Sequence, residues 1–370
     1  MKVLSVFGTR PEAVKMCPLI LELEANAEIE SVVCLTGQHR EMLKQVIGVF
    51  KIHAKYDLDV MRPAQTLYTL TSDVLLNFEE VLEKEEPDVV LVHGDTTTTF
   101  AAALAAFYKK LPVGHVEAGL RTYDKYSPFP EEMNRVFTSC IADIHFAPTE
   151  NNRKNLADEG IRDNVYVTGN TVIDSFKTTV QKNYIFHDEV LRGLNLEGKR
   201  LVLITAHRRE NWGAPLERIC RAIVRLKDLY QDMEFIYPVH PNPAVRETVF
   251  SLLTGVERVH LLDPVDVEDM HNLISRSYLV MTDSGGLQEE APAFGVPVLV
   301  LRTETERPEA VDAGTVRVVG VETDDIVAAA RELAENKKSY DRMANAVNPY
   351  GDGKASERII AHLLEWQKKQ

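Results

Sequence analysis

The sequence predicts an α/β protein built from two doubly wound, Rossmann-like domains with an interdomain cleft. Short β-branched runs alternate with stretches of helical period along most of the chain. That series stops and restarts once near the middle, and unusual polar residues gather just after the runs. At roughly 100–200 residues per domain, the 370 residues, 45% of them hydrophobic and 26% charged, suffice for two cores.

The first series of strands is expected at Val3–Phe7, Val89–His93, Val113–Val116, Ile144–Ala147 and Val165–Thr168. These are apolar runs bounded by Gly, Pro or Asp, as in parallel sheets covered by helices on both faces. Residues 170–199 then form one long helical or linker region. A second series follows at Leu201–Thr205, Glu234–Val239, Val259–Leu262, Tyr278–Thr282 and Val296–Leu301. The turn cluster Asn348–Gly353 precedes a last helix, Ala355–Lys369, placed to cross back to the first domain. The expected domains are therefore 1–169 plus 355–370, and 170–354.

The charge balance of 42 Lys and Arg against 56 Asp and Glu, a net −14, excludes nucleic acid and anionic membrane as partners. An anionic ligand must be held by a few local cations and helix ends. No apolar run approaches the ~20 residues of a membrane span, and Met1–Arg10 reaches a Gly-Thr-Arg turn too soon for a signal peptide. Cys17, Cys34, Cys140 and Cys220 show no paired spacing and read as core thiols of a cytoplasmic protein.

Open α/β sheets bind ligands at the carboxyl ends of their strands, which is where the polar loops lie. In Asp283-Ser284-Gly285-Gly286-Leu287-Gln288-Glu289-Glu290, Ser284 is expected to cap a helix while Gly285 and Gly286 admit a phosphate to its amides. Glu290, one turn in, can accept hydrogen bonds from ribose hydroxyls. A plain N-cap with an acidic first turn fits the same residues. Gly8-Thr9-Arg10-Pro11-Glu12 lacks the Gly-x-Gly-x-x-Gly of dinucleotide sites, which disfavours NAD. There Arg10 and Lys15 offer cations suited to a diphosphate, or else sit in a solvated first turn.

Asp95, Glu117 and Glu131 bring carboxylates to the mouth of the first domain, where crowding separates an acid from a base. Arg135, expected to contact substrate, lies one turn beyond Glu131 on the same helix face, a spacing that by itself suits a surface ion pair. Asp95 alone also fits an N-cap on a helix over Thr96–Phe107. His93, Asp95, His115 and Glu117 echo a metallohydrolase, yet no His-Glu-x-x-His or paired-cysteine spacing supports a metal, and none is expected. His115 fits a hydrogen-bonded core position equally well. In the second domain, His207 and His240 can each poise a proton near neutral pH, His207 as a catalytic group and His240 as a substrate contact.

Together these motifs resemble the non-hydrolysing UDP-N-acetylglucosamine 2-epimerases of bacteria. The resemblance runs from Phe7-Gly8-Thr9-Arg10-Pro11-Glu12-Ala13 through the stretches 91–99, 114–122, 206–210, 283–292 and 305–309 to Asn348-Pro349-Tyr350-Gly351-Asp352-Gly353. It implies a fold similar to the GT-B glycosyltransferases and a cytoplasmic homodimer without metal or NAD. The implied reaction interconverts UDP-GlcNAc and UDP-ManNAc, supplying ManNAc units for cell-surface polymers. By the same resemblance Arg10, Lys15, Asp95, Glu117 and His207 contact substrate, and Ser284, Gly285 and Gly286 hold the diphosphate. Glu290 takes the ribose, Arg307 adds a contact, and Asp95, Glu117 and Glu131 match the carboxylates associated with catalysis. Met270 stands where an aromatic is common at the uridine, and Val265 where a Gln can occur; the Met thioether still covers a uracil face.

The chemistry agrees with that resemblance. The sugar C2 proton is not adjacent to a carbonyl, and without NAD no transient ketone acidifies it. The remaining route expels UDP, removes the C2 proton to leave a glycal, and reverses on the opposite face. Three rivals share many of these motifs: a hydrolysing 2-epimerase releasing ManNAc, a UDP-sugar glycosyltransferase, and a non-catalytic UDP-sugar sensor. Regulated family members also bind a second UDP-GlcNAc. Gln38, His39, Glu131 and Arg208 match that effector site, but Glu41 and Ala64 replace its Gln and Arg, which predicts weaker activation.

Overall fold

Burial of β-branched runs on both faces produces two parallel sheets in this chain. The computed structural model describes residues 1–37, 40–62 and 64–370, and only the backbone of residues 40–42. The first sheet holds β1 (Lys2–Phe7), β2 (Glu30–Leu35), β3 (Tyr56–Asp57), β4 (Val89–His93), β5 (Val113–Val116), β6 (Ile144–Ala147) and β7 (Val165–Val167). Their order is β3-β2-β1-β4-β5-β6-β7. Leu4, Val6, Val90 and Val92 meet Phe78 and the alanines of helix Thr97–Tyr108 in its core.

The second sheet comprises β8 (Arg200–Thr205), β9 (Met233–Pro238), β10 (Val259–Leu262), β11 (Leu279–Thr282), β12 (Val298–Val300) and β13 (Val316–Val318). It runs β10-β9-β8-β11-β12-β13, and helix Ala214–Leu229 packs Ile219 and Ile223 among Val202, Phe235 and Met281. Both sheets pair in parallel throughout, with Val3 opposite Val89 and Leu279 opposite Val202. In each sheet the strand order reverses once, between β1 and β4 and between β8 and β11. Loops leaving the two strands at such a reversal diverge, and a ligand crevice opens there.

The chain divides into Met1–Thr178 with Tyr350–Gln370, and Thr179–Pro349. The exchange falls after Thr178, not at the expected 169/170, because helix Thr171–Thr179 is tied to the first unit. Its Asp174 accepts hydrogen bonds from the Ala355 and Ser356 amides at 3.1 and 2.9 Å. Those are orphan donors at the start of the last helix, Ala355–Gln367, which lies in the first unit; that unit resumes at Tyr350, ahead of the expected 355.

Strands β2, β3 and β13 add to those the sequence predicts. β3 has two residues and β13 three, and the Arg317 side chain of β13 is exposed, so neither carries an apolar run. β2 opens on exposed Glu30 before its Val32–Leu35 run. The expected long element at 170–199 is instead two short helices, Thr171–Thr179 and Glu189–Gly193. Cys17, Cys34 and Cys220 are buried, but Cys140 is exposed and not a core thiol. Among the described residues no helix is long and apolar enough to cross a membrane.

Candidate active site

In the first unit a capping box, Thr9 with Glu12 three residues on, starts helix Arg10–Ala25 after β1. Glu12 is buried, and its carboxylate accepts from the Gly8 and Thr9 amides at 3.1 and 2.8 Å and from the Thr96 hydroxyl at 2.8 Å. Burial raises its pKa against the opposing pull of these hydrogen bonds. Glu12 thus joins the loops after β1 and β4 at the strand reversal, a role visible in sequence only as the cap spacing. The helix carries Arg10, partly exposed and without a partner among the described residues, and Lys15, ion-paired with Glu117.

Glu117 follows β5 in a left-handed backbone conformation, with φ +63°. It also accepts from Asn170 Nδ2 at 2.8 Å, and its Oε2 lies 3.9 Å from His93 Nε2. Both ring nitrogens of buried His93 lack a hydrogen bond. Asp95, after β4, takes Arg135 Nε at 2.9 Å and Nη2 at 2.7 Å. Thr96, not Asp95, caps helix Thr97–Tyr108.

Arg135 departs from expectation. Its other arm reaches Glu132 at 3.0 Å, and Glu132 also accepts the Thr122 and Tyr123 amides. The spacings i+3 and i+4 both lie on one helix face, and burial of Glu132 decides between them. Glu131, at the start of the helix Glu131–Ile141, is left half-buried with no partner among the described residues. His115 is a core residue, its Nε2 against the Gly94 carbonyl at 2.7 Å.

These buried imidazoles make a stability prediction. Burial, the largest cause in each, pushes His93 down to about 4, His115 to about 3 and His145 to about 4. The unfolded chain binds protons that these sites refuse. Their contribution is therefore complete above the unfolded value of ~6.5 and is lost as pH falls through it toward the folded values. Glu12, with a raised folded pKa, acts in the opposite sense and offsets part of the loss. Urea unfolding across ~pH 7 to 4 should show stability falling by up to ~1.4 kcal/mol per pH unit for each histidine. A flat profile over that window would contradict the burial argument.

In the second unit Asp283, wholly buried after β11, accepts the His207 and Arg208 amides at 2.8 Å each, so it joins the loops after β8 and β11. The His207 ring stacks on exposed His240 at a centroid distance of 5.2 Å and 13°. Burial lowers the His207 pKa most, Asp283 opposes that, and His240 adds to it. Ser284 stands at the N-cap of helix Gly285–Glu290 but its side chain accepts no capping bond, contrary to expectation. The Thr282 hydroxyl instead takes the Ser284 amide at 2.9 Å, which fixes the turn without it.

A methyl group on Gly285 would lie 3.4 Å from Arg307 Nη2 and 3.8 Å from Arg208 Nη2, and one on Gly286 would lie 3.2 Å from Glu290 Oε1. Glycines bordered by two guanidinium groups and a carboxylate suit an anion next to hydroxyls. Arg307 is anchored by Glu289, and Arg208 lies 3.8 Å from Glu306. Glu290 also faces His271 at 3.8 Å, and Met270 lies partly buried beside it on helix Val267–Arg276. Gln38 and His39 lie outside the described residues.

His93, Asp95, His115 and Glu117 do not bring three ligand atoms together among the described residues. The group that does, His187, Asp266 and Asp269, is internally bonded: His187 Nδ1 meets Asp266 at 2.7 Å, and Asp269 accepts the Tyr184 hydroxyl and two amides.

Residues 21–364 match the family described as UDP-N-acetylglucosamine 2-epimerase. A UDP-N-acetylglucosamine 2-epimerase of Bacillus subtilis (strain 168) is 51% identical over 365 residues, spanning 98% of this chain and 95% of that one. The crystal structure of UDP-GlcNAc 2-epimerase from Neisseria meningitidis bound to UDP-GlcNAc matches with a TM-score of 0.90 and 51% identity, covering 99% of this chain and 100% of that one. The glycotransferase of kitacinnamycin matches with a TM-score of 0.65 at 13% identity over 98% of this chain and 99% of its own, a likeness of fold alone.

Proposed function

The chain belongs to the UDP-N-acetylglucosamine 2-epimerase family, and from that premise we propose that it interconverts UDP-GlcNAc and UDP-ManNAc without hydrolysis. The relative from Neisseria meningitidis binds UDP-GlcNAc, which supports the same substrate here. The anomeric C–O bond breaks and UDP leaves with its electron pair. A carboxylate then takes the C2 proton from the oxocarbenium-like sugar, leaving a glycal. Protonation of C2 on the opposite face and return of UDP to C1 complete the exchange. Every proton and electron pair is returned, so this route calls for neither a hydride carrier nor a metal.

The observation that carries this reading is the carboxylate set of the first unit. Asp95 is held by Arg135, Glu117 by Lys15 and Asn170, and Glu131 has no partner among the described residues. Differently held carboxylates are what a proton removal on one face and a delivery on the other require. Lys15, against Glu117, and Arg10 on the same helix are the first unit's cations suited to an anionic substrate. In the second unit Gly285, Gly286 and Ser284 take the diphosphate, Arg307 adds a contact, Glu290 takes the ribose, and Met270 a uracil face. His207, when protonated, gives its proton to the departing oxygen and takes it back when UDP returns, beside His240.

We place the enzyme in the cytoplasm as a homodimer; the exposed apolar side chains of Phe107, Tyr108 and Phe137 support self-association. Retention of UDP separates this reading from the hydrolysing one. Phosphorus NMR of a reaction with UDP-GlcNAc should show UDP-sugars throughout; UDP and free ManNAc growing in step would establish the hydrolysing enzyme. Glu290→Ala should weaken UDP binding by about 1.5–3 kcal/mol, the scale of hydrogen bonds to a charged group. Calorimetry checks this, and unchanged affinity removes the ribose assignment.

Regulation by a second UDP-GlcNAc should be weak. Ala64 offers no cation where regulated members carry Arg, and Glu41 stands where they carry a neutral Gln, a change unfavourable to an anionic effector. The reverse reaction from pure UDP-ManNAc should therefore start promptly. A long lag abolished by micromolar UDP-GlcNAc would show the effector site intact.

A further inference from the structure

Asp283 has one oxygen more than loop-joining requires. Its Oδ2 already takes the His207 and Arg208 amides at 2.8 Å each and Asn211 Nδ2 at 2.9 Å. Its Oδ1, in a residue with no exposed surface, makes no hydrogen bond and lies 3.5 Å from His207 Nδ1. A buried acceptor left bare is costly and rare, so the geometry calls for a donor at that oxygen. His207 Nδ1, 3.5 Å away, is a donor that a small movement brings within reach. The separation is long for a hydrogen bond, as is common for catalytic contacts before substrate binds.

The groups facing the ring support one arrangement. His240 stacks on it at 5.2 Å and 13°, and Arg208 and Glu210 lie in the same loop. Asn211 is bound to Asp283 Oδ2 and to the Leu301 carbonyl at 3.0 Å, which fixes the carboxylate in turn. His207 keeps about a third of its side-chain surface open (34%), so one ring nitrogen faces the carboxylate while the ring remains reachable from outside.

We propose that Asp283 is a positioning residue for His207: it accepts the Nδ1–H, fixes that tautomer of the neutral ring and leaves Nε2 as the site that takes and returns a proton. When Nε2 is protonated, the same carboxylate stabilises the imidazolium. This is the division of labour of an Asp–His pair in which the carboxylate itself never becomes protonated. The catalytic consequence rests on the reading of His207 given above; the tautomer does not.

The test uses full-length protein with 15N-labelled imidazoles, the His207 signals being assigned by their absence in His207→Gln. Two-bond proton–nitrogen correlation above the titration range should show His207 protonated at Nδ1 in the wild type without ligand. The Nε2–H form would overturn the proposal, whatever reaction the enzyme catalyses. Asp283→Asn is nearly isosteric and keeps an oxygen for the amides, but turns an NH2 toward the ring. It should invert the tautomer to Nε2–H and lower kcat by ~100-fold or more, with KM changed little.

In a His207→Asn background the same change should add less than ~3-fold, because a residue acting through His207 has nothing left to act on. A full multiplicative loss in the double variant would make Asp283 merely structural and overturn the proposal. Should Asp283→Asn fail to fold, the wild-type tautomer still decides. Should the wild type lack epimerase activity, the function above fails while the tautomer still tests the Asp283 assignment.

Discussion

Glu117→Gln should lower kcat by at least ~100-fold while leaving UDP affinity nearly unchanged, the scale expected when a positioned acid or base is removed. The amide keeps the volume of the side chain and can still accept from Asn170, now at 2.8 Å from the carboxylate. It cannot take a proton from C2, and it no longer neutralises Lys15. Asp95→Asn and Glu131→Gln should fall in the same range, Asp95→Asn also freeing Arg135 from its two contacts to Asp95. Steady-state kinetics with calorimetric UDP titration separates turnover from binding. Near-normal turnover in all three variants would remove the carboxylates from the chemistry.

Gly119→Ala should be the most damaging small substitution in the loop that carries Glu117. Gly119 has φ +90°, and a Cβ there would fall 2.2 Å from the Asn152 carbonyl oxygen and 2.8 Å from its carbon. That carbonyl belongs to the backbone of helix Glu150–Asp158, which is held by its own Thr149–Asn152 capping box and cannot yield as a flexible side chain would. The Gly119 carbonyl is itself gripped by Asn155 Nδ2 at 2.9 Å. The expected loss is at least ~3 kcal/mol of stability, because backbone overlap adds to left-handed strain.

Gly160 supplies the control: its φ is +88°, yet a Cβ there meets nothing within 4 Å. Gly160→Ala should cost only the strain, about 1–2 kcal/mol. Equal urea midpoints for the two variants would show that the close approach at Gly119 does not matter.

The strands that carry the site were legible because they are buried on both faces. β4 is an apolar run up to His93 and β5 a wholly buried segment between Val113 and Val116, and Asp95 and Glu117 stand out as the first acidic residues after them. β3 was not legible: two residues at a sheet edge, paired with Cys34 and Leu35, leave no periodic trace. The partners of the site residues were harder still. Glu131 and Glu132 are adjacent, both within reach of Arg135 on a helix, and burial of Glu132 by the Thr122 and Tyr123 amides settles the pairing. Ser284 has the composition of a cap, but the turn is fixed by Thr282 from the preceding strand. The transfer between units at Thr178 depends on Asp174 meeting a helix nearly half the chain away, a contact without local signature.

The central claim is that C2 loses its proton to the enzyme while UDP is expelled and recaptured. Purified protein incubated with UDP-GlcNAc alone in deuterated water, with chelator present, tests it most directly. Proton NMR and mass spectrometry should find deuterium at C2 in both UDP-GlcNAc and UDP-ManNAc, with both sugars still linked to UDP. Epimers formed without deuterium at C2, or no exchange at all, would contradict it.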